Sequence, residues 1–232
     1  MNSLQLVPDP TKTVDPAIGY KLASEIYDRW HWQEFWRRNE LPIVQRWLSS
    51  LNPGIALDAG TGTGLYSFAI ERSGHRGVGI DISKEMLRVQ QRGGHQAALV
   101  QGSLTALPFS NSSFDYALST RVLTHIPALL SAFTEIARVL RPGGKLFLAD
   151  IHPEHPYSKM SIKADRQKVS IRIHKYSIEQ LRNSIAAAGL DVIGFRSYGL
   201  ENLSWRPPHD GFKNIYRDPT RPIFYTAWIL RH

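Results

Sequence analysis

Between residues 55 and 150, short apolar runs alternate with helix-length amphipathic segments, and this alternation leaves few folds open. "GIALDAG", "GVGIDI", "AALVQGS", "FDYALSTRVL" and "KLFLAD" each have strand length and a nearly continuous apolar character. "LYSFAIERSG", "SKEMLRVQQRG" and "PALLSAFTEIARVLRPGG" read as helices between them, with Ser83 as an N-cap and Pro142-Gly143-Gly144 as a stop. Strands of this kind are buried on both faces. They imply βαβ units and a parallel sheet with helices above and below. The rhythm breaks over residues 151–176, which read as an irregular insertion on the substrate side of the fold. "SIEQLRNSIAAAGL" restores a helix, and "DVIGFRSYGL" and "PIFYTAWILR" read as two final strands, an antiparallel pair. The stretch from Ala17 to Leu51 is helical and aromatic, divided at Pro42, and follows a polar, proline-bearing start that reads as mobile. The expectation is therefore an α/β fold: a doubly wound, mostly parallel seven-stranded sheet with an aromatic N-terminal helical cap. The cap is assigned to residues 1–50 and the main domain to residues 51–232.

"DAGTGTG" at residues 58–64 follows the first strand and opens the first helix. A glycine-rich turn in that place brings backbone close to a ligand and offers amide groups and a positive helix end. It is not the dinucleotide pattern G-x-G-x-x-G. The third glycine is due at residue 65 or 67, where Leu65 and Ser67 stand. It is not a phosphate loop either, since no Gly-Lys-Ser/Thr follows. Asp58, two residues before Gly60, would repel a pyrophosphate and suit an ammonium group, while the turn amides suit a carboxylate. The second strand ends in Asp81, where an acid commonly grips ribose hydroxyls in doubly wound folds. An amino acid joined to a nucleoside is S-adenosyl-L-methionine.

The stretch from Leu57 to Asp150 resembles the seven-stranded, Rossmann-like (class I) S-adenosylmethionine-dependent methyltransferases, in particular their small-molecule, type 11-like subgroup. "LDAGTGTG", "VGIDISKEML", "GSLTALPFSNSSFDYALSTRVLTHI" and "FTEIARVLRPGGKLFLAD" carry the resemblance, in that order. It implies Gly60, Gly62 and Gly64 against the methionine part of the cofactor and Asp81 on the ribose. It also implies Ile82 and Met86 beside the adenine, Gly102, Ser103 and Leu104 near the adenine edge, and Ser119 at the end of the fourth strand. The family often has Asp where Ser103 stands, so the adenine amino contact falls to a hydroxyl or to backbone.

The expected activity is methyl transfer to an oxygen or nitrogen of a small aromatic or heteroaromatic metabolite. In-line displacement on an activated donor asks mainly for alignment and exclusion of water. Tyr20, Tyr27, Trp30 and Trp32 are candidates for a lid over the donor and acceptor, and Trp205 in "ENLSWRPPHDGF" for a further pocket wall. Of nine histidines, His152 after the fifth strand and His125 in "RVLTHIP" after the fourth are the candidates for a general base.

Other classes weigh less. The net charge of +8 is uneven: residues 151–232 hold 13 Lys and Arg against 7 Asp and Glu. That basic third keeps an RNA-directed methyltransferase open as an alternative, although no dense basic cluster or RNA-binding module is visible, and nucleic acid is not the expected partner. The segment after the fourth strand lacks the [D/N/S]-P-P-[Y/F/W] pattern of enzymes that methylate exocyclic adenine nitrogens or glutamine. The chain has no cysteine, which excludes disulfides, thiolate metal sites and a cysteine nucleophile. A binder that keeps the cofactor and methylates nothing is the other alternative. Asp150, His152, Glu154 and His155 lie close together in "DIHPEHPY", but Pro153 and Pro156 prevent a helix that would align them, and no metal is expected. No apolar run is long enough to span a bilayer and the start lacks a signal pattern, so the expectation is a cytoplasmic protein.

Overall fold

Strand alternation dictates how the sheet is covered. In the computed structural model, residues 13–94, 96–156, 160–164 and 167–232 are described. The elements of the main sheet are β2 (Ile55–Ala59), β3 (Arg76–Asp81), β4 (Ala98–Gln101), β5 (Phe114–Thr120), β6 (Leu140–Ile151), β9 (Leu190–Tyr198) and β10 (Phe224–Arg231). Their spatial order is β4-β3-β2-β5-β6-β10-β9. Neighbours from β4 to β6 are parallel, and β10 runs antiparallel to both β6 and β9. Leu57 and Ala59 pack on one face with Leu146 and Leu148, while Ala56 packs on the other with Phe147 and Ala149. The period of two thus buries both sides of each central strand.

Helices α6 (Leu129–Val139) and α7 (Ile178–Ala187) cover the first face through Phe133, Ile136, Leu181 and Ile185. Helices α3 (Leu41–Ser49) and α4 (Leu65–Arg72) cover the second through Val44, Trp47, Leu48 and Ile70. Each such side chain contributes about 1.5–3 kcal/mol by leaving water. Pro42 stands in the first turn of α3, where its missing N–H costs no helical bond. Helix α5 (Lys84–Arg92) begins at Ser83, whose hydroxyl accepts from the Met86 amide, and α7 begins with a Ser177–Gln180 capping box. Helix α6 ends at Val139, earlier than the Pro-Gly-Gly signal. Leu140 already pairs with Phe114, and the pairing shifts register before Tyr116 meets Lys145, so residues 141–144 bulge from the β5–β6 ladder rather than cap a helix.

The largest departure from expectation lies after the fifth strand of the parallel set. Residues 151–176 are not irregular throughout: β7 (Met160–Ala164) and β8 (Gln167–Ile171) form an antiparallel hairpin. Its polar–apolar alternation was masked by the proline-rich "HPEHPY" before it. Strand β1 (Thr13–Val14) adds to β8 in parallel, giving a separate three-stranded sheet. Helix α1 (Pro16–Ala23) packs on that hairpin, with Gly19 pressed against Ile171. The N-terminal cap is therefore tied to the insertion. The proline-bearing start, residues 1–12, lies outside the described residues. Among the described residues no helix is long and apolar enough to cross a membrane.

Candidate active site

A cavity of about 710 Å³ opens at the carboxyl ends of β2, β3 and β5, the edge at which open α/β sheets bind ligands. Its floor is the glycine turn. Gly60, Gly62 and Gly64 all have positive φ, at +89°, +56° and +98°, a region that only glycine enters without strain. Gly60 is also a close approach, since a Cβ there would stand 2.2 Å from Val122 Cγ2. At Gly62 a Cβ would meet nothing within 4 Å, because that residue faces the open cavity.

Four of the turn amides, which the pattern offered to a ligand carboxylate, are engaged within the protein. Gly60 and Thr61 both donate to the Ile80 carbonyl, Gly64 donates to the Thr61 carbonyl, and Gly62 donates to Asp81 Oδ2 at 2.9 Å. Asp81 Oδ1 accepts from the Ser83 amide at 2.8 Å, so the carboxylate is fixed at the strand end while it lines the cavity. Burial raises its pKa, and the amide donors of Ser83, Gly62 and Ile82 oppose that rise. Beside it Ile82 is 45% exposed, an apolar side chain laid open on the cavity wall, with Met86, Gly102, Ser103 and Leu104 nearby. The Ser103 hydroxyl is engaged with Thr105, bonding its Oγ1 at 2.8 Å and accepting from its amide.

A second cavity, of about 390 Å³, shares Tyr20, Tyr27, Gln33, Arg121 and His125 with the first. Trp30, Trp32 and Trp36 give it aromatic walls, and His31 and His155 line it as well. Tyr20, from α1, bonds His125 Nε2 at 2.8 Å. His125 Nδ1 lies 3.1 Å from the Arg172 carbonyl, which can only accept, so Nδ1 carries the proton and Nε2 receives that of the phenol. Burial lowers the His125 pKa and keeps the ring neutral near pH 7.

Several expected residues stand elsewhere. Asp58 is 1% exposed and lies beneath the turn, accepting from Thr61 and Ser67 hydroxyls at 2.9 and 2.7 Å. It braces the turn instead of meeting an ammonium group, and burial raises its pKa to about 6. Ser119 is fully buried, whereas Thr120 and Arg121 reach the cavity. Gly64 shapes the turn without lining it. His152 sits off both cavities, its Nε2 3.2 Å from Ser197 Oγ and its Nδ1 accepting from the Glu154 amide. The strand end turns it toward β9 instead of the mouth. Trp205 packs on Phe212 under the Arg38 guanidinium, and its backbone N–H and carbonyl pair with the Asn39 side-chain amide at the end of α2 (His31–Asn39). Among the described residues no group of three or more acids and histidines has the spacing to hold a metal.

Arg121 has no counterpart in the sequence expectations. It follows β5 with a left-handed backbone, φ +57°, and its guanidinium lies between Trp36 and Tyr66, 4.8 and 5.2 Å from their ring centres. It donates to fully buried Glu40 at 2.5 Å and to the Tyr66 hydroxyl at 3.0 Å. A lone Arg closing an apolar strand was the available signal; its partner lies 81 residues away.

Residues 57–148 match the profile of a family described as Methyltransferase domain. The chain is 35% identical over 115 residues to a demethylmenaquinone methyltransferase of Staphylococcus saprophyticus, covering 47% of this chain and 49% of that one. It is 33% identical over 110 residues to a malonyl-[acyl-carrier protein] O-methyltransferase of Erwinia pyrifoliae, covering 46% and 42%. The chain thus spans less than half the length of either relative. In fold it is similar to an S-adenosylmethionine-dependent methyltransferase of Mesorhizobium loti, with TM-score 0.65, 18% identity and coverage of 82% and 96%.

Proposed function

We propose that this chain, whose residues 57–148 form a class I S-adenosylmethionine-dependent methyltransferase domain of the type 11-like group, transfers a methyl group from that cofactor to an oxygen or nitrogen of a small aromatic molecule. The observation that carries the reading is the pair of cavities joined at Tyr20, Tyr27, Arg121 and His125. The first has the glycine cradle and the Asp81 carboxylate, and the second has aromatic walls. A volume of about 710 Å³ falls in the range of about 300–1,000 Å³ typical of small-molecule sites.

The residues present fit the cofactor. Gly62 leaves room beside the turn where any side chain would intrude, Gly60 lets the turn pack against Val122, and Asp81 keeps acceptor capacity for ribose hydroxyls. Ile82, Met86 and Leu104 offer an apolar surface for the adenine. When bound, the cofactor supplies an electrophilic methyl group on sulfonium sulfur. The chain's own residues align the acceptor and exclude water. Tyr20 and Tyr27 come from the cap, and Asp28 closes the cap onto the turn by accepting from Thr63 Oγ1 at 2.7 Å. Where the acceptor is a hydroxyl, the Tyr20–His125 pair takes its proton: the phenol oxygen receives it as the phenol's own proton passes to Nε2, and the Arg172 carbonyl steadies the imidazolium through Nδ1. An amine acceptor loses its proton to solvent and leaves this pair a positioning role.

Incubating the purified protein with S-adenosylmethionine and a panel of phenols, aromatic amines and carboxylates, with mass-spectrometric detection of products gaining one methyl group, tests the reading. Methylation of an aromatic O or N is expected. Cofactor binding without turnover of any aromatic, or turnover of RNA alone, overturns it.

A further inference from the structure

We infer that the second cavity holds the acceptor by an anionic group, an aromatic carboxylate gripped by Arg121 and His155. This rests on the methyl-transfer reading and names the acceptor's class. The charged and titratable groups lining that cavity are Arg121, Tyr20, Tyr27, His31, His125 and His155; among the described lining residues there is no carboxylate.

Two of these groups carry unmet hydrogen-bonding capacity. His155 is 5% exposed, yet neither of its ring nitrogens has a partner. A buried imidazole in that state has a donor and an acceptor to offer a ligand group. Burial, with the Lys175 charge nearby, lowers the His155 pKa to about 4, so at neutral pH the ring offers one donor and one acceptor. Arg121 Nε is likewise buried without a partner. Its strained backbone and its place between two rings aim the guanidinium, as expected where strain serves a site.

The acids close to Arg121 stay out of the cavity. Glu40 is fully buried behind it and takes Arg121 and Tyr66 on Oε1, and Asp150 accepts from the amides of Leu123, Thr124 and Ile151. A ligand therefore meets N–H donors and ring faces. Trp30, Trp32 and Trp36 suit a planar ring, whereas a cationic acceptor would face Arg121 at close range.

Quenching of tryptophan fluorescence by 4-hydroxybenzoate, 4-hydroxybenzamide and 4-hydroxybenzylamine tests this, each titrated with and without S-adenosylhomocysteine. The carboxylate is expected to bind at least about tenfold tighter than the amide, and the amine weakest. Arg121→Lys and His155→Phe are each expected to remove most of that preference while the amide's affinity stays within about twofold. His155→Phe carries the test should Arg121→Lys unfold by exposing Glu40. Equal binding of carboxylate and amide, stronger binding of the amine, no binding of any probe, or an unchanged ranking in both variants overturns the inference. A cofactor titration on the same samples separates the two claims. A wild-type protein that binds the cofactor but shows no carboxylate preference refutes only this one, and absent cofactor binding refutes the methyl-transfer reading.

Discussion

Replacing Gly60 and Gly62 with Ala separates the two jobs of the glycine turn. At Gly60 the new methyl must hold φ near +89° and stand 2.2 Å from Val122 Cγ2, 3.1 Å from Cγ1 and 3.2 Å from Cβ. Rotation of a valine cannot relieve a contact that includes its own Cβ, so backbone must move. A left-handed conformation costs an L-residue about 1–2 kcal/mol, and overpacking adds about 1–3 kcal/mol. Gly60→Ala is therefore expected to destabilise the fold by about 2–5 kcal/mol, a large part of a typical domain's stability. Gly62→Ala carries only the backbone cost, since its methyl enters open space. Urea melts should place Gly60→Ala about 1–3 kcal/mol below Gly62→Ala. Calorimetric titration should then show that folded Gly62→Ala has lost about tenfold or more in cofactor affinity, because its methyl occupies the ligand's space. Equal stabilities, or wild-type cofactor affinity in Gly62→Ala, would refute the division of roles.

Further outcomes follow from the same geometry. Asp81→Asn should weaken cofactor binding by about 1–3 kcal/mol through loss of charge-assisted bonds, read by calorimetry. With a hydroxyl acceptor, His125→Ala should lower kcat roughly 10²–10⁴-fold and abolish the acidic limb of the pH–rate profile, while Tyr20→Phe keeps the limb and loses rate. In the wild type that limb lies below the ordinary histidine value, because burial lowers the His125 pKa. Asp58, raised by burial from 3.8 to about 6, favours folding in its protonated form; its contribution is complete below pH 3.8 and lost as pH rises through about 6. Relative to wild type, Asp58→Asn should therefore gain stability between pH 4 and pH 7, by about 3 kcal/mol at most, in paired urea melts. Trp205→Ala should lower the melting temperature without moving KM for the acceptor, since that ring faces Phe212 and Arg38 instead of the cavities.

The sheet was readable because its strands are apolar on both faces and its helices begin at recognisable caps, such as Ser83 and Ser177. Asp81 and the positive-φ glycines were readable because a turn between strand and helix tolerates few residue types. Asp58 stands near the ligand turn in sequence, but its carboxylate is buried beneath it on the Thr61 and Ser67 hydroxyls, partners that lie three and nine residues on. What escaped was non-local. The Tyr20–His125 bond joins residues 105 apart, and Arg121 finds Glu40 across 81. Local pattern holds no record of such pairings, and it likewise gave His152 and Trp205 chemical promise that packing withdrew. The β7–β8 hairpin carries a strand alternation, but Pro153 and Pro156 just before it give a stronger loop signal.

The central claim is that the cavity over the glycine turn takes S-adenosylmethionine and no nicotinamide dinucleotide. Isothermal titration of the purified chain with each tests it most directly. Saturable binding of S-adenosylmethionine with a Kd on the order of micromolar, and no heat from NAD, is the expected result. No binding of S-adenosylmethionine, or binding of NAD in its place, would contradict it.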